Sequence, residues 1–343
     1  MHMDMTLSLV MPVFNHPQEL KVMMDSILAN LFADWELIAV DDGSDEPTLS
    51  LLADYASTDN RIHVIIRNRA PKGAQTCRNM GLEMARGKYV IFFDSDDYVA
   101  PYCLKQRVEL MEEKPELDFM VFPSGSYNRN SFSYKGKYVF GYQIYGDDLQ
   151  AFIRRTLPFT VWTNIYRTES LRKEKLYWDT NLLSFQDSDF NIQALLHGLK
   201  YEYAITQPDY GYRTEDNSNS ISKKIASNSH RQSLLYFLNK QYNEIQNVYG
   251  KKYNSALNEC ALFIFSFVMS TRIDVPFAKE IAGIVSSYDS FRGKLLHIKI
   301  NLSKFLEKFL PAKLARQLPM SVYLLHKWSL EKKISKRIKD IIR

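Results

Sequence analysis

Cysteine is scarce in this chain. Its 343 residues include three, Cys77, Cys103 and Cys260, odd in number, scattered and without metal-ligand spacing. This excludes a disulfide framework and fits a reducing compartment. Long hydrophobic runs are missing too: the longest outside the expected strands, 260–269, is too short to cross a bilayer. Met1-His2-Met3-Asp4-Met5 has neither a basic n-region nor a small-residue cleavage site, so no signal peptide is expected. No Gly-x-Gly-x-x-Gly follows the first apolar run, and no Gly-x-x-x-x-Gly-Lys-Ser/Thr occurs anywhere. Those absences disfavour a dinucleotide oxidoreductase and a P-loop phosphotransferase.

Apolar residues make up 45% and charged residues 24%, which suits a globular protein of one large or two ordinary domains. Charge is spread unevenly. From 292 to 343 there are 14 Lys and Arg against 3 Asp and Glu, which leaves the first 291 residues net acidic. A basic tail on an acidic body points to an anionic partner surface, a membrane or a nucleic acid.

The first third alternates two patterns. Apolar runs at 7–14, 36–40, 62–66, 89–93 and 118–122 read as strands. Between them lie 18–31, 47–57, 74–86 and 101–113, each with helical spacing; Pro17 suits a helix start and Gly87 reads as a helix C-cap. This alternation predicts a doubly wound α/β fold with a parallel sheet, whose ligands sit beyond the carboxyl ends of the strands. Asn15 falls there after the first strand, Asp41 and Asp42 after the second, and Asp94 to Asp97 after the fourth.

The fourth strand is the focal stretch. The apolar run 89–93 ends in Asp94-Ser95-Asp96-Asp97. An extended chain puts Asp94 and Asp96 on one side and Asp97 on the other. Like charges held so close raise each other's pKa and call for a cation, and carboxylate oxygens suit a hard divalent ion such as Mg²⁺ or Mn²⁺. The bland alternative is a solvated acidic turn with a helix cap. A nucleotide held at this edge would have base and ribose met by Asp41 and Asp42, and its diphosphate met through a metal at Asp96.

Pro12-Val13-Phe14-Asn15, Asp41-Asp42-Gly43-Ser44, Arg78-Asn79-Met80-Gly81, Gly87-Lys88-Tyr89 and Asp94-Ser95-Asp96-Asp97 occur in this order. Together they resemble the family 2 glycosyltransferases of the GT-A fold, of the bacterial polysaccharide-building type. The resemblance is dense over 6–122 and sparser over 160–220. It implies a metal-dependent enzyme that uses a nucleotide-diphosphate sugar, commonly a UDP-sugar, and inverts the anomeric carbon. By that resemblance Pro12, Val13, Phe14 and Asn15 line the nucleoside pocket with Asp42, while Asp41 faces the base. Arg78 touches the nucleotide, unless it merely pairs with a nearby acid. Asp94, Ser95 and Asp96 form the Asp-x-Asp segment, with Asp96 the more direct metal ligand and Asp94 its partner. The plain alternative for Gly81 is close helix–sheet packing alone.

Beyond 122 the periodicity weakens. The stretch 124–145 reads as a β-hairpin or loop excursion, 147–156 as a helix, 159–166 as a strand and 168–173 as a short helix. In Phe185-Gln186-Asp187-Ser188-Asp189 the family resemblance makes Asp187 the general base, with Asp189 as fallback. The family's preceding Glu is replaced by Gln186, and a helix N-cap is the plain alternative for Asp187. An inverting displacement needs one carboxylate to take the acceptor hydroxyl's proton. The polar segment 208–222 resembles a family loop in which Arg213 neutralises the diphosphate as a lid closes.

The expected division is a GT-A domain over 1–225, with a nucleotide-sugar half 1–122 and an acceptor half 123–225, followed by a helical region 226–343. Helices are expected at 230–249, 253–271, 295–310 and 321–342; the last two are basic and amphipathic, a membrane-surface pattern. A solvated helical cap is the alternative for that tail. The expected partners are a UDP-sugar and a saccharide or lipid-linked acceptor, without nucleic acid, in the cytoplasm or on the inner face of the membrane. The rival functions are a sugar-nucleotidyltransferase and a non-catalytic sugar-nucleotide or membrane-binding module.

Overall fold

The computed structural model describes residues 5–128, 131–133, 140–214, 227–268, 274–317 and 320–342. The chain begins with β1 (Met5–Val13), α1 (Pro17–Leu28), β2 (Trp35–Asp41), α2 (Glu46–Thr58), β3 (Ile62–Ile66), α3 (Ala74–Met84) and β4 (Gly87–Phe92). There follow β5 (Tyr98–Val99), α4 (Cys103–Glu112), β6 (Phe119–Val121), β7 (Ser124–Asn128), β8 (Ser131–Ser133) and α5 (Asp148–Ile153). Then come β9 (Asn164–Arg167), α6 (Thr168–Lys173), α7 (Gln186–Leu196), β10 (Tyr201–Tyr203) and β11 (Tyr210–Arg213). The remaining elements are α8 (Asn228–Tyr249), α9 (Asn254–Val268), α10 (Val275–Tyr288), α11 (Ser290–Leu306), α12 (Ala312–Gln317) and α13 (Ser321–Ile342).

Two compact units are interleaved along the chain. One falls within Met1–Gln143, Pro158–Thr180 and Asp189–Asp216, the other within Ile144–Leu157, Asn181–Ser188 and Asn217–Arg343. The first unit holds a seven-stranded sheet in the order β10-β6-β9-β4-β1-β2-β3. β4, β1, β2 and β3 run parallel, as do β10 and β6, whereas β9 opposes both of its neighbours. Leu9, Val10, Leu37, Ile38, Val90 and Ile91 are all buried. That is why these strands read as unbroken apolar runs: both faces of a central parallel strand are covered.

Two details depart from the expectation. The run 159–166 was expected as one strand, but Val161–Thr163 is a 3-10 turn and only the short β9 follows. Thr160 and Thr163 cause this: the Thr163 hydroxyl donates to the Thr160 carbonyl at 2.6 Å and accepts from the Thr160 N–H at 3.2 Å. Such local bonds compete with the sheet ladder. Gly87 is not a helix cap. α3 ends at Met84, and Gly87 opens β4, donating its N–H to the Ser8 hydroxyl at 2.8 Å. A Cβ there would lie 2.5 Å from the Ser8 backbone nitrogen. A Cβ at Gly81 would collide with Val10, so α3 packs on β1 only because position 81 has no side chain.

A second, four-stranded sheet has the order β5-β11-β7-β8. β11 lies antiparallel to β5 and parallel to β7. The antiparallel pairing of β7 and β8 is the expected hairpin; most of the alternating stretch 132–140 lies outside the described residues.

The second unit is helical. α8, α10 and α11 begin on Ser227, Asp274 and Asp289, each accepting a backbone N–H from the first turn. Leu234, Phe237, Leu257, Ile264, Ile281 and Ile300 are among its buried residues. Among the described residues, no helix is long and apolar enough to cross a membrane.

Candidate active site

Parallel register brings the carboxyl ends of the first strands together: Val13 stands opposite Asp41, and Asp41 opposite Ile66. Beyond β1 the chain turns sharply through Asn15 and His16, whose φ angles are +58° and +59°. Two consecutive left-handed residues without a glycine are costly and persist only where their surroundings hold them. Here the Asn15 N–H donates to the Ser44 hydroxyl at 2.9 Å, and the Asn15 side-chain oxygen accepts the Asp45 N–H at 2.9 Å. The loop after β1 is thereby fastened to the loop after β2.

Each acid at the end of β2 is engaged. The Asp41 carboxylate accepts the N–H groups of Gly43 at 2.9 Å and Ser44 at 3.1 Å, shaping the turn in which Gly43 has φ +87°. The Asp42 carboxylate accepts from the Arg67 guanidinium and from the Gly73 N–H at 3.2 Å. Pro12 and Val13 are buried in β1, while the Phe14 ring is exposed beneath the Lys72 ammonium, 3.8 Å from its centroid. The rim thus presents backbone and the Phe14 ring to the space beyond the strands, while Asp41 and Asp42 are buried and spent on shaping the loops.

β4 stops at Phe92, and Ser95 and Asp96 form a turn before β5. Strand alternation therefore does not extend to the acids, and the expected placement of Asp94 and Asp96 on one strand face is corrected. The turn gives each acid a different environment. Asp94 is half-buried and pairs with the Arg78 guanidinium at 2.6 Å; Arg78 also lies 4.3 Å from the Trp178 ring centroid. Arg78 thus has the acid partner that the plain alternative foresaw. Asp96 is half-buried, and its pKa is pushed up to about 6, by burial first and then by the charge of Asp94. His16 and Arg213 oppose that rise electrostatically.

Asp97, set aside in the sequence reading as facing away, is fully buried. Its carboxylate accepts the Tyr210 hydroxyl and the Arg213 N–H, both at 2.7 Å. Burial and the neighbouring Asp96 and Asp94 hold its pKa well above the usual carboxylate range. Arg213 ends β11, and its guanidinium donates to the backbone carbonyl of Asp96. Of its expected lid segment, 208–222, residues 215–222 lie outside the described residues. Below this, Arg107 grips Asp209 with two hydrogen bonds of 2.6 and 2.8 Å, both side chains fully buried. Sequence reading missed Asp97, Tyr210 and this ion pair. The signal was Asp209-Tyr210 beside Arg213, read as loop.

No group of three or more His, Cys, Asp or Glu side chains forms a ready-made metal centre among the described residues. The donor chemistry nevertheless fits a hard divalent ion. Asp94 and Asp96 lie two residues apart, and burial together with the Asp94 charge resists the ionisation of Asp96. Mg²⁺-type ions are commonly held by one or two carboxylates plus substrate phosphates, not by a complete protein cage.

Asp187 lies in the first turn of α7, within the second of the two compact units, while Asp94 and Asp96 belong to the first. Phe185 just before it has φ +64° and carries the Arg155 guanidinium 3.7 Å from its ring centroid. Arg155 also hydrogen-bonds the Ser188 hydroxyl and lies within electrostatic reach of Asp187. Gln186, which stands where the family has Glu, donates to the Leu182 carbonyl at 3.0 Å.

The sequence profile described as Glycosyl transferase family 2 matches residues 8–175. The chain is similar to the uncharacterized glycosyltransferase EpsJ of Bacillus subtilis (29% identical over 231 residues, 66% of each chain). It is also similar to WfgD of Escherichia coli, a UDP-Glc:alpha-D-GlcNAc-diphosphoundecaprenol beta-1,3-glucosyltransferase (32% identical over 136 residues, 40% of this chain and 51% of that protein). The matched stretches span less than two thirds of the length of either relative. Among solved structures, residues 1–349 of S. aureus TarS in complex with UDP-GlcNAc align with a TM-score of 0.56 and 19% identity, over 87% of this chain and 92% of that one. That likeness establishes the fold, GT-A with a helical C-terminal extension.

Proposed function

Since this chain belongs to glycosyl transferase family 2 and has the GT-A fold, we propose that it transfers a sugar, with inversion, from a UDP-sugar to a saccharide or lipid-linked saccharide in cell-surface polysaccharide biosynthesis. The observation that carries this reading is the turn after β4. There Asp96 holds a carboxylate whose ionisation is resisted by burial and by Asp94, while Arg78 pairs with Asp94. Such a turn gains most from a cation and a diphosphate arriving together.

The roles proposed here are those the family resemblance carries to these positions. Pro12, Val13, Phe14 and Asn15 form the nucleoside wall with Asp42, and Asp41 shapes the base-side turn. Asp96 and Asp94, spaced by Ser95, would hold Mn²⁺ or Mg²⁺, which when bound acts as a Lewis acid on the departing diphosphate. Arg78 keeps Asp94 oriented, and Arg213 fixes the Asp96 backbone from below. Asp187 takes the proton of the acceptor hydroxyl. Residues 1–225 form the catalytic part, with a nucleotide-sugar half to 122 and an acceptor half beyond it. The helical region 226–343 brings the enzyme to the inner face of the membrane, where a lipid-linked acceptor would lie, with the remainder of the chain in the cytoplasm.

UDP-sugar hydrolysis with added Mn²⁺ tests the donor site. Activity that needs the ion and disappears in Asp96→Ala supports it; hydrolysis retained in that variant would remove the metal assignment.

A further inference from the structure

α11 is apolar on two opposite sides. One side is packed: Leu296 and Ile300 are buried, and Gly293 sits so close to Ser286 that a Cβ would collide. The other is open. Phe291, Leu295, Ile298, Leu302 and Phe305, continued past the helix end by Phe309, are 40–72% exposed. Their spacing alternates four and three residues. At 3.6 residues per turn they fall within roughly 80° of arc, opposite the packed side. A continuous outward stripe of this length is unlike the scattered apolar residues of an ordinary surface and marks a contact face.

Charge identifies what that face meets. On the same turns, Arg292 and Lys299 flank the stripe on one side, and Lys294 and Lys308 on the other. The nearby acids are few: Asp289 caps the helix and pairs with Arg292, and Glu307 pairs with Lys304, each at 2.7 Å. A second copy of the chain laid on this stripe would set lysine rows against lysine rows. An anionic bilayer would meet Lys294, Lys299 and Lys308 with phosphate. The same chemistry recurs on α13, where the exposed Trp328 carries the Lys332 ammonium 3.6 Å from a ring centroid.

We propose that the outward face of α11 is a membrane-docking surface, lying along an anionic bilayer with its apolar stripe at the acyl boundary and its lysines at the headgroups. This deepens the membrane reading above and rests on it.

The test is co-sedimentation of the full chain with vesicles of phosphatidylcholine alone or mixed with phosphatidylglycerol. The wild-type chain is expected to pellet with the anionic vesicles and to be released by added salt. Ile298→Ser combined with Phe305→Ser changes only exposed side chains. It is expected to weaken that binding on the order of tenfold or more, with an unchanged thermal midpoint. If the variant pellets as well as wild type, the α11 assignment falls while the membrane reading stands. If wild type pellets with neither vesicle, both fall. Equal binding to both vesicles would remove the anionic headgroup, and a wild-type dimer that the variant splits would make a second copy the occupant.

Discussion

The Tyr210 hydroxyl donates a 2.7 Å hydrogen bond to the buried carboxylate of Asp97, 113 residues earlier in the chain. Tyr210 is itself stacked on Trp162, ring centroids 4.6 Å apart. The bond ties the acidic turn, which follows β4 of the large sheet, to β11, an inner strand of the small one. The geometry of Asp94 and Asp96 is therefore set by a strand that sequence places far away.

Tyr210→Phe isolates that bond, because the ring stays and only the hydroxyl is lost. A buried carboxylate left short of a donor costs about 1–3 kcal/mol. The expected result is a thermal midpoint lower by several degrees, with weaker stabilisation by UDP and Mn²⁺ because the turn loosens. Thermal unfolding with and without these ligands checks it. An unchanged midpoint and an unchanged ligand shift would make the bond incidental.

The Arg107–Asp209 pair predicts a purely structural effect. Both side chains are fully buried and joined by two hydrogen bonds. Removing one partner strands a charge in the interior, which costs about 3–5 kcal/mol. Asp209→Ala is expected to lower stability by that amount in urea unfolding, whereas an apolar pair such as Arg107→Met with Asp209→Leu recovers most of it. A single variant as stable as wild type would contradict this reading of the pair.

Asp96 predicts a pH dependence whose sign is fixed. Its folded-state pKa of about 6 lies above the ordinary 3.8. The folded, ion-free protein therefore binds a proton that the unfolded chain would release. That stabilisation is complete below about pH 4 and is lost as pH rises through about 6. Allowing for partial solvent exposure, it amounts to about 1 kcal/mol or more. Cation binding needs the ionised form, so stabilisation by Mn²⁺ with UDP should grow over the same interval. Thermal midpoints at several pH values check both trends, and Asp96→Asn should flatten them. A ligand shift independent of pH would separate Asp96 from the ion.

Much of this arrangement is legible in the sequence, for a physical reason. β1, β2 and β4 are covered on both faces, so each appears as a mostly apolar run, and the first polar residue after it marks the carboxyl edge of the sheet. The edge positions of Asn15, Asp41, Asp42 and Asp94 follow from that alone. The inward turn of Asp97 does not, because four residues of similar polarity carry no sign of where the strand stops. Arg213 reads as loop because β5 and β11 are only two and four residues long, too short for periodicity. The 3-10 turn at Val161–Thr163 is hidden because Thr160 and Thr163 satisfy each other inside an apolar run. α10 is a different case: Asp274-Val275-Pro276 is a strong helix start that was legible and passed over.

The role of Asp187 can be separated from a purely helical one by one substitution. Asp187 is the second residue of α7, past the cap position expected of it; asparagine there keeps the side chain's shape but cannot take a proton. If Asp187 only shapes the start of α7, Asp187→Asn leaves both stability and sugar transfer near wild type. If Asp187 is the base, the variant keeps its thermal midpoint and its affinity for the UDP-sugar, while kcat for transfer to the acceptor falls by about 10²–10⁴. Asp96→Ala should behave in the opposite way, losing metal-dependent donor binding first. Asp189, buried in the next turn position, is the internal control: if Asp189→Asn shows the kcat loss and Asp187→Asn does not, the base is Asp189.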